Sequence, residues 1–236
     1  ARTLDPLVGG GHFDFIADLG AQMPMRTIGY LLGIPEQDQE AIRDRLDEGL
    51  ALEEGQEGSF DAEGFDGSEM FGEYIDWRAQ HPSDDLMTEM LNAEFEDEDG
   101  VTRRFTREEL TTFINLLAGA GNETTTRLIG WTGKLLAEHP DQRRQIVEDR
   151  ALVAPAIEEV LRYEAPSPAQ ARWVSRDVEH HGQKIEQGSV MMLLNGSANR
   201  DDRQFPDGDT FDIHREIGHH LSFGYGIHFC LGAALA

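Results

Sequence analysis

Apolar positions recur every three or four residues over 13–52 and again from Thr106 to Tyr163, the spacing of helices that bury one face. The first run breaks at "GIPEQD", where Gly33 and Pro35 end one segment and Asp38 stands as a candidate cap for the next. Pro140 and Pro155 mark helix starts or breaks in the second run. From Arg172 the pattern changes: "RWVSRDVEHHGQKIEQGSVMMLL" mixes β-branched and apolar runs with Gly182 and Gly188, which predicts short strands and a hairpin. "NRDDRQFPDGDTFDIHREIGHH" has neither period and reads as loop. The Gly- and acid-rich residues 53–72 predict a mobile connection with at most a short helix, and "EFEDEDG" at 94–100 a second, solvated acidic loop. The expectation is a mainly α chain with a minor β portion and no internal repeat or convincing linker.

Charge narrows the class of partner. With 45 acidic and 20 basic side chains the formal charge is -25, which argues against nucleic acid or an anionic membrane as the main partner. No apolar run approaches the roughly 20 residues of a membrane span. A single cysteine forms no internal disulfide, so a reducing cytoplasm is the expected location. Residue 1 is Ala, and "CLGAALA" at the other end reads as a helix that only begins, so the chain is expected to be an internal fragment.

Three constellations carry candidate chemistry. In "TFINLLAGAGNETTTRLIGWTGKLLAEH", Phe113, Leu117, Ala120, Thr124, Leu128, Trp131 and Leu135 share one helical face, which places Thr124 on the expected buried stripe. Gly119 and Gly121 each cost about 1 kcal/mol against Ala there. Their missing side chains make room for a ligand or for close helix packing, and Glu123 sets a proton-exchanging group beside the Thr124 hydroxyl. In "PAIEEVLRYEAP", Glu159 and Arg162 stand at i,i+3, a spacing that by itself fits a solvated surface pair. The third is "FGYGIHFCLG", where Gly224, Gly226 and Gly232 surround Cys230. A zinc site could draw on His219, His220, His228 and Cys230 but lacks the usual paired spacing. A cysteine nucleophile with a histidine base lacks any family signature. Thiolate ligation of haem asks for one cysteine and no further protein ligand.

These residues resemble the cytochrome P450 family, specifically its soluble bacterial type. "FGYGIHFCLG" is similar to the haem-binding signature F-G-x-G-x-H-x-C-x-G, "AGNETT" at 120–125 to the A-G-x-D/E-T-T motif of the long central helix, and "EEVLR" to the E-x-x-R helix. "NGSANRD" and "FDIHR" fit the segments between them. The resemblance implies a partial cytochrome P450 fold over 1–236, from the central region to the haem-binding region, without the N-terminal helices and the C-terminal end. One departure is internal: the family places Arg or His before the Phe-Asp that completes the E-x-x-R network, and here that position is Thr210. Arg203 and Arg215 are both candidates for the missing partner.

Residue by residue, the resemblance implies haem b with Cys230 as the axial iron ligand, Phe223 shielding the sulfur, and Gly224 and Gly226 letting the loop pass beneath the porphyrin. His228 and Arg172 would contact the propionates, although Arg172 also fits a surface residue at a strand edge. Ala120 and Gly121 would lie against the cofactor, Thr124 would hydrogen-bond dioxygen and Glu123 would relay protons. Glu159 and Arg162 would be structural. The implied activity is a monooxygenase that inserts one oxygen atom of O2 into a small, largely apolar organic substrate. Leu117, Ala120, Thr124 and "APSPAQA" would line its pocket, and the acidic stretch near 53–72 would belong to a lid. Electrons would come from NAD(P)H through a reductase and a ferredoxin-type donor, with the protein acting as a monomer. The alternative is a non-catalytic haem-binding or sensor module, which would not need the Glu123 and Thr124 pair.

Overall fold

The computed structural model describes residues 3–50 and 68–236. The stretch expected to be a mobile connection or lid falls, over 51–67, outside the described residues. The chain forms two compact units, residues 1–126 and 127–236, each with its own apolar core.

After a 3-10 turn at Asp5–Leu7 the first unit forms a π-helical turn, Phe15–Gly20, whose start is fixed by Asp14: its carboxylate accepts the Ile16 and Ala17 N–H groups at 2.8 and 2.9 Å. Helix α1 (Gln22–Leu31) ends at Gly33, whose φ of +69° a side chain would resist. Helix α2 (Glu36–Leu50) begins directly after Pro35. Asp38 is therefore not the cap expected of it; it sits in the first turn, where its charge faces the positive end of the helix. Helices α3 (Ser68–Gln80) and α4 (Leu86–Asn92) follow.

Residues 94–100, expected as an acidic loop, instead begin a hairpin of β1 (Glu94–Glu96) and β2 (Thr102–Arg104). Asp97 explains the difference, because its carboxylate accepts the Asp99 and Val101 N–H groups and folds the turn through Gly100 at φ +76°. Helix α5 (Arg107–Glu138) starts on a reciprocal cap. Thr106 N–H donates to Glu109 Oε2 at 2.8 Å, and Glu109 N–H donates to Thr106 Oγ1 at 3.2 Å.

Leu110, Ile114 and Ala118 are the buried line of α5 in this unit, packed with Ile28, Leu32, Leu46 and Phe71. This corrects the expected stripe. Phe113 and Leu116 are exposed and Thr124 is half-buried, because this half of α5 is apolar on two sides and the core takes only one.

In the second unit the remainder of α5 supplies Leu128 and Leu135 to a core shared with Ala156, Val160, Leu161, Phe211 and Ile213. Helix α6 (Pro140–Glu148) begins on its proline, and Pro155 lies in the first turn of α7 (Val153–Tyr163), where a missing N–H costs nothing. The predicted strands are present. β3 (Gln170–Trp173) pairs antiparallel with β6 (Val190–Leu193), and between them β4 (Val178–His180) and β5 (Gln183–Ile185) form a hairpin. That hairpin turns at His181 and Gly182, both at positive φ. A short helix α8 (Asn195–Ala198) leads into irregular chain that ends in a 3-10 turn at Gly226–His228.

Candidate functional site

Glu159 and Arg162 are fully buried on α7, so the solvated pair that their spacing suggested is a core feature. Arg162 Nε and Nη2 donate to the two carboxylate oxygens of Glu159 at 2.7 and 2.8 Å. Its Nη1 donates to the carbonyls of Asn199 and Gly208, both at 2.8 Å, and Nη2 also to that of Thr210 at 3.2 Å. All five guanidinium N–H groups thus have acceptors, the condition under which a buried charge is tolerated. Arg215 is the third partner: its Nε lies 3.4 Å from Glu159 Oε1, while Nη2 donates to the Thr210 carbonyl at 3.0 Å. Arg203 instead pairs with Asp201. Thr210 serves the network through its main-chain oxygen, which both arginines use.

The same network reaches the segment before the cysteine. Asn199, whose carbonyl Arg162 holds, accepts the Leu221 N–H on its side-chain oxygen at 2.7 Å and donates from Nδ2 to Ser222 Oγ at 2.8 Å. Ser222 Oγ in turn donates to the carbonyl of Leu161 on α7. His220 is buried beside them, with Nδ1 3.2 Å from the Ser222 N–H and Nε2 3.1 Å from Glu158 Oε2. Sequence reasoning weighed His220 only as a zinc ligand and gave Asn199 and Ser222 no role. A buried Asn following a short helix and a Ser before Phe-Gly carry no period or spacing that marks them; only the fold brings them together. Among the described residues no group of three or more His, Cys, Asp and Glu side chains could hold a metal ion.

The cysteine loop follows. Phe223 is half-buried against the unit's core, and its ring lies 5.7 Å from that of His220 and 6.2 Å from that of Phe229. Its carbonyl accepts the Cys230 N–H at 2.8 Å, closing the loop. Gly224 and Gly226 both have left-handed backbones, φ +72° and +70°. A Cβ on Gly224 would stand 3.3 Å from the His228 carbonyl, while Gly226 faces open space. The Cys230 thiol is exposed and so are Ile227, Phe229 and Leu231, with Ile227 98% accessible. Exposed apolar side chains around an exposed thiol fit a large apolar cofactor held through one sulfur. From Cys230 onward the chain makes overlapping turns, with the Ala233 N–H on the Cys230 carbonyl and the Leu235 and Ala236 N–H groups on that of Gly232.

His228 and Arg172, the side chains expected to meet the propionates, belong to the same unit. His228 is exposed on the 3-10 turn. Arg172 on β3 is half-buried and makes no ion pair among the described residues, donating to the Ala171 carbonyl at 2.8 Å. Both are able to meet carboxylates of a bound group.

In the first unit, α5 carries the acid and the alcohol. Thr124 Oγ1 donates to the Ala120 carbonyl at 2.8 Å, within a helix that runs without interruption. Thus the hydroxyl donates to a helix carbonyl without opening a bulge. The expected room for a ligand beside Gly121 is taken by Ile28, whose Cδ1 would lie 2.7 Å from an added Cβ, so this glycine serves helix packing. Ala120 is exposed and Glu123 half-buried. Asn122, buried next to Glu123, donates to Asp47 Oδ1 at 3.2 Å. Burial pushes the Asp47 carboxyl above its ordinary range, and the charges of Asp44 and Glu123 add to this against the opposing Arg43. Among the described residues no helix is long and apolar enough to cross a membrane.

Comparison with known proteins agrees with this geometry. The family model described as cytochrome P450 matches residues 68–236. The chain is 37% identical over 238 residues to cytochrome P450 126 of Mycobacterium tuberculosis, covering 99% of this chain and 57% of that protein. It is 34% identical over 236 residues to 6-deoxyerythronolide B hydroxylase of Saccharopolyspora erythraea, covering 100% and 57%. Among solved structures, the bacillaene polyketide synthase cytochrome P450 PksS of Bacillus subtilis 168 superposes with a TM-score of 0.88 at 30% identity, over 99% of this chain and 59% of that one. The chain thus spans somewhat over half the length of these relatives. With the family model covering most of its length and the mainly helical fold shared with solved relatives, the chain belongs to the cytochrome P450 family.

Proposed function

We propose that this chain is the central and haem-binding part of a haem-thiolate monooxygenase, which inserts one oxygen atom of O2 into a small, largely apolar organic substrate. The observation that carries the reading is the cysteine loop: one exposed thiol on an apolar shelf, in a backbone bent by two left-handed glycines and closed by the Cys230 N–H on Phe223. When bound, haem supplies the activation of dioxygen and the transfer of one oxygen atom to a C–H bond, the other leaving as water.

The protein's part is ligation, orientation and proton control. Cys230 ligates through sulfur, Phe223 covers it from the core side, and Gly224 and Gly226 keep the loop free of side chains. His228 and Arg172 neutralise the cofactor's carboxylates. On α5, Ala120 offers a small surface, Thr124 holds a hydrogen bond to the oxygen substrate, and Glu123 passes protons toward it. Exposed Leu116, one helical turn before Ala120, supports an apolar substrate. The Glu159, Arg162 and Arg215 network fixes the chain that leads to the cysteine. Electrons come from NAD(P)H through a reductase and a ferredoxin-type donor, and the protein works as a cytoplasmic monomer.

The test is isotopic. The protein expressed from its full reading frame, given a ferredoxin, its reductase, NAD(P)H and a panel of apolar compounds under 18O2, should release product carrying one labelled atom. Haem-loaded protein that reduces no dioxygen with any donor would favour a binding module instead.

A further inference from the structure

We propose that His220 is a positioning residue for the cysteine loop: neutral and protonated on Nε2, it ties the backbone of Ser222 to Glu158 on α7, and so holds Phe223 and Cys230 in place for cofactor ligation. The proposal rests on the reading of Cys230 as the haem ligand.

The tautomer follows from the partners. A backbone N–H can only donate, so the Ser222 N–H requires a bare Nδ1. The proton then resides on Nε2, which faces the acceptor Glu158 Oε2 at 3.1 Å. From Ser222 the path to the ligand is short. Phe223 is next in the chain, its ring is packed on that of His220, and its carbonyl holds the Cys230 N–H. Asn199 and Leu161 pin Ser222 from its side-chain oxygen, so the His220 contact is the one that fixes its main chain.

Protonating Nδ1 would replace this acceptor with a second donor facing the Ser222 N–H. Burial opposes that and lowers the pKa of His220 below its ordinary value, as do His219 and Arg162, while Glu158 alone favours the charged ring. The clamp is therefore fully formed above about pH 6.5, the ordinary histidine value, and is lost as pH falls through the lower folded-state value.

Three variants of the protein from its full reading frame decide the matter: His220→Leu, His220→Asn, whose amide oxygen replaces Nδ1 and does not titrate, and Glu158→Gln at a half-exposed position. The first readout is amide hydrogen exchange over residues 219–230 without haem. His220→Leu should speed exchange at Ser222 and Cys230 about tenfold at pH 7.5, and His220→Asn should restore it. The second is the far red-shifted Soret band of the reduced carbon monoxide complex, followed from pH 8 downward. Wild type should lose that band in acid, His220→Asn should keep it to lower pH, and Glu158→Gln should move the midpoint down by about half a pH unit. Should His220→Leu fail to fold, the other two decide. Exchange in His220→Leu within twofold of wild type, or an acid midpoint unchanged in both His220→Asn and Glu158→Gln, overturns the proposal. A wild-type protein that never shows the band overturns the haem reading instead, and exchange then decides the clamp alone.

Discussion

Arg215 Nε stands 3.4 Å from Glu159 Oε1, and through that contact a residue five positions beyond Thr210 completes the buried pair on α7. Arg162 meets Asn199, Gly208 and Thr210 in the same network, and Arg215 adds Pro206 and Asp207 carbonyls. One helix turn thereby organises about twenty residues of chain that has no regular structure of its own.

Removing Arg162 leaves the buried Glu159 carboxylate with only the longer Arg215 contact and the Asp212 N–H, so Arg162→Leu should destabilise the second unit by about 3–5 kcal/mol. Arg215→Leu keeps the main pair and should cost less, on the order of 1–2 kcal/mol. Arg203→Leu, at an exposed residue, should leave stability essentially unchanged. Urea unfolding followed by tryptophan fluorescence ranks the three, and an Arg203 effect as large as that of Arg215 would contradict the assignment.

Gly224 and Gly226 share a left-handed backbone but differ in surroundings. Alanine at either adds roughly 1–2 kcal/mol of backbone strain. At Gly224 it also presses on the His228 carbonyl, so Gly224→Ala should lower the melting temperature more than Gly226→Ala. Equal shifts in thermal melts would show that the close approach at Gly224 has no energetic weight.

Gly119 and Gly121 of α5 should answer oppositely to alanine. Gly119→Ala meets only Leu46 at 3.9 Å and should stabilise the chain by up to about 1 kcal/mol. Gly121→Ala forces Ile28 aside and should cost about 1–3 kcal/mol, with partial rescue by Ile28→Val. Denaturation of Gly119→Ala, Gly121→Ala and the double variant with Ile28→Val measures both, and a stabilising Gly121→Ala would refute the packing role.

Much of this was legible in the sequence where a local rule decides. Helix α7, the β4–β5 hairpin and the glycine-bent cysteine loop follow from period, turn residues and a motif matched at every specified position. What failed to show depends on tertiary placement. The apolar residues of α5 fit two faces, and only packing against Ile28 and Leu46 buries Ile114 and Ala118 fully while Phe113 and Leu116 stay exposed. Arg203 and Arg215 are equivalent by composition, and the fold alone turns the second toward Glu159. By sequence His220 is one of four candidate zinc ligands, and only the fold sets Ser222 and Glu158 against its two nitrogens. The 94–104 hairpin was masked by its charge, since Asp97 is a turn former as well as an acid.

Thr124 donates only to the Ala120 carbonyl of its own helix, so Thr124→Ala should alter stability by less than about 0.5 kcal/mol. If the hydroxyl serves proton delivery, the variant should keep consuming NAD(P)H while product per NAD(P)H drops several-fold. Product and peroxide measured side by side give the ratio, and unchanged coupling would remove Thr124 from the reaction.

The central claim is that Cys230 is a haem thiolate, and the reduced carbon monoxide difference spectrum addresses it most directly. The protein from its full reading frame should show the far red-shifted Soret band of a thiolate-ligated haem, and Cys230→Ser should lose that band. A wild-type protein that binds no haem, or one whose band survives Cys230→Ser, would contradict the account.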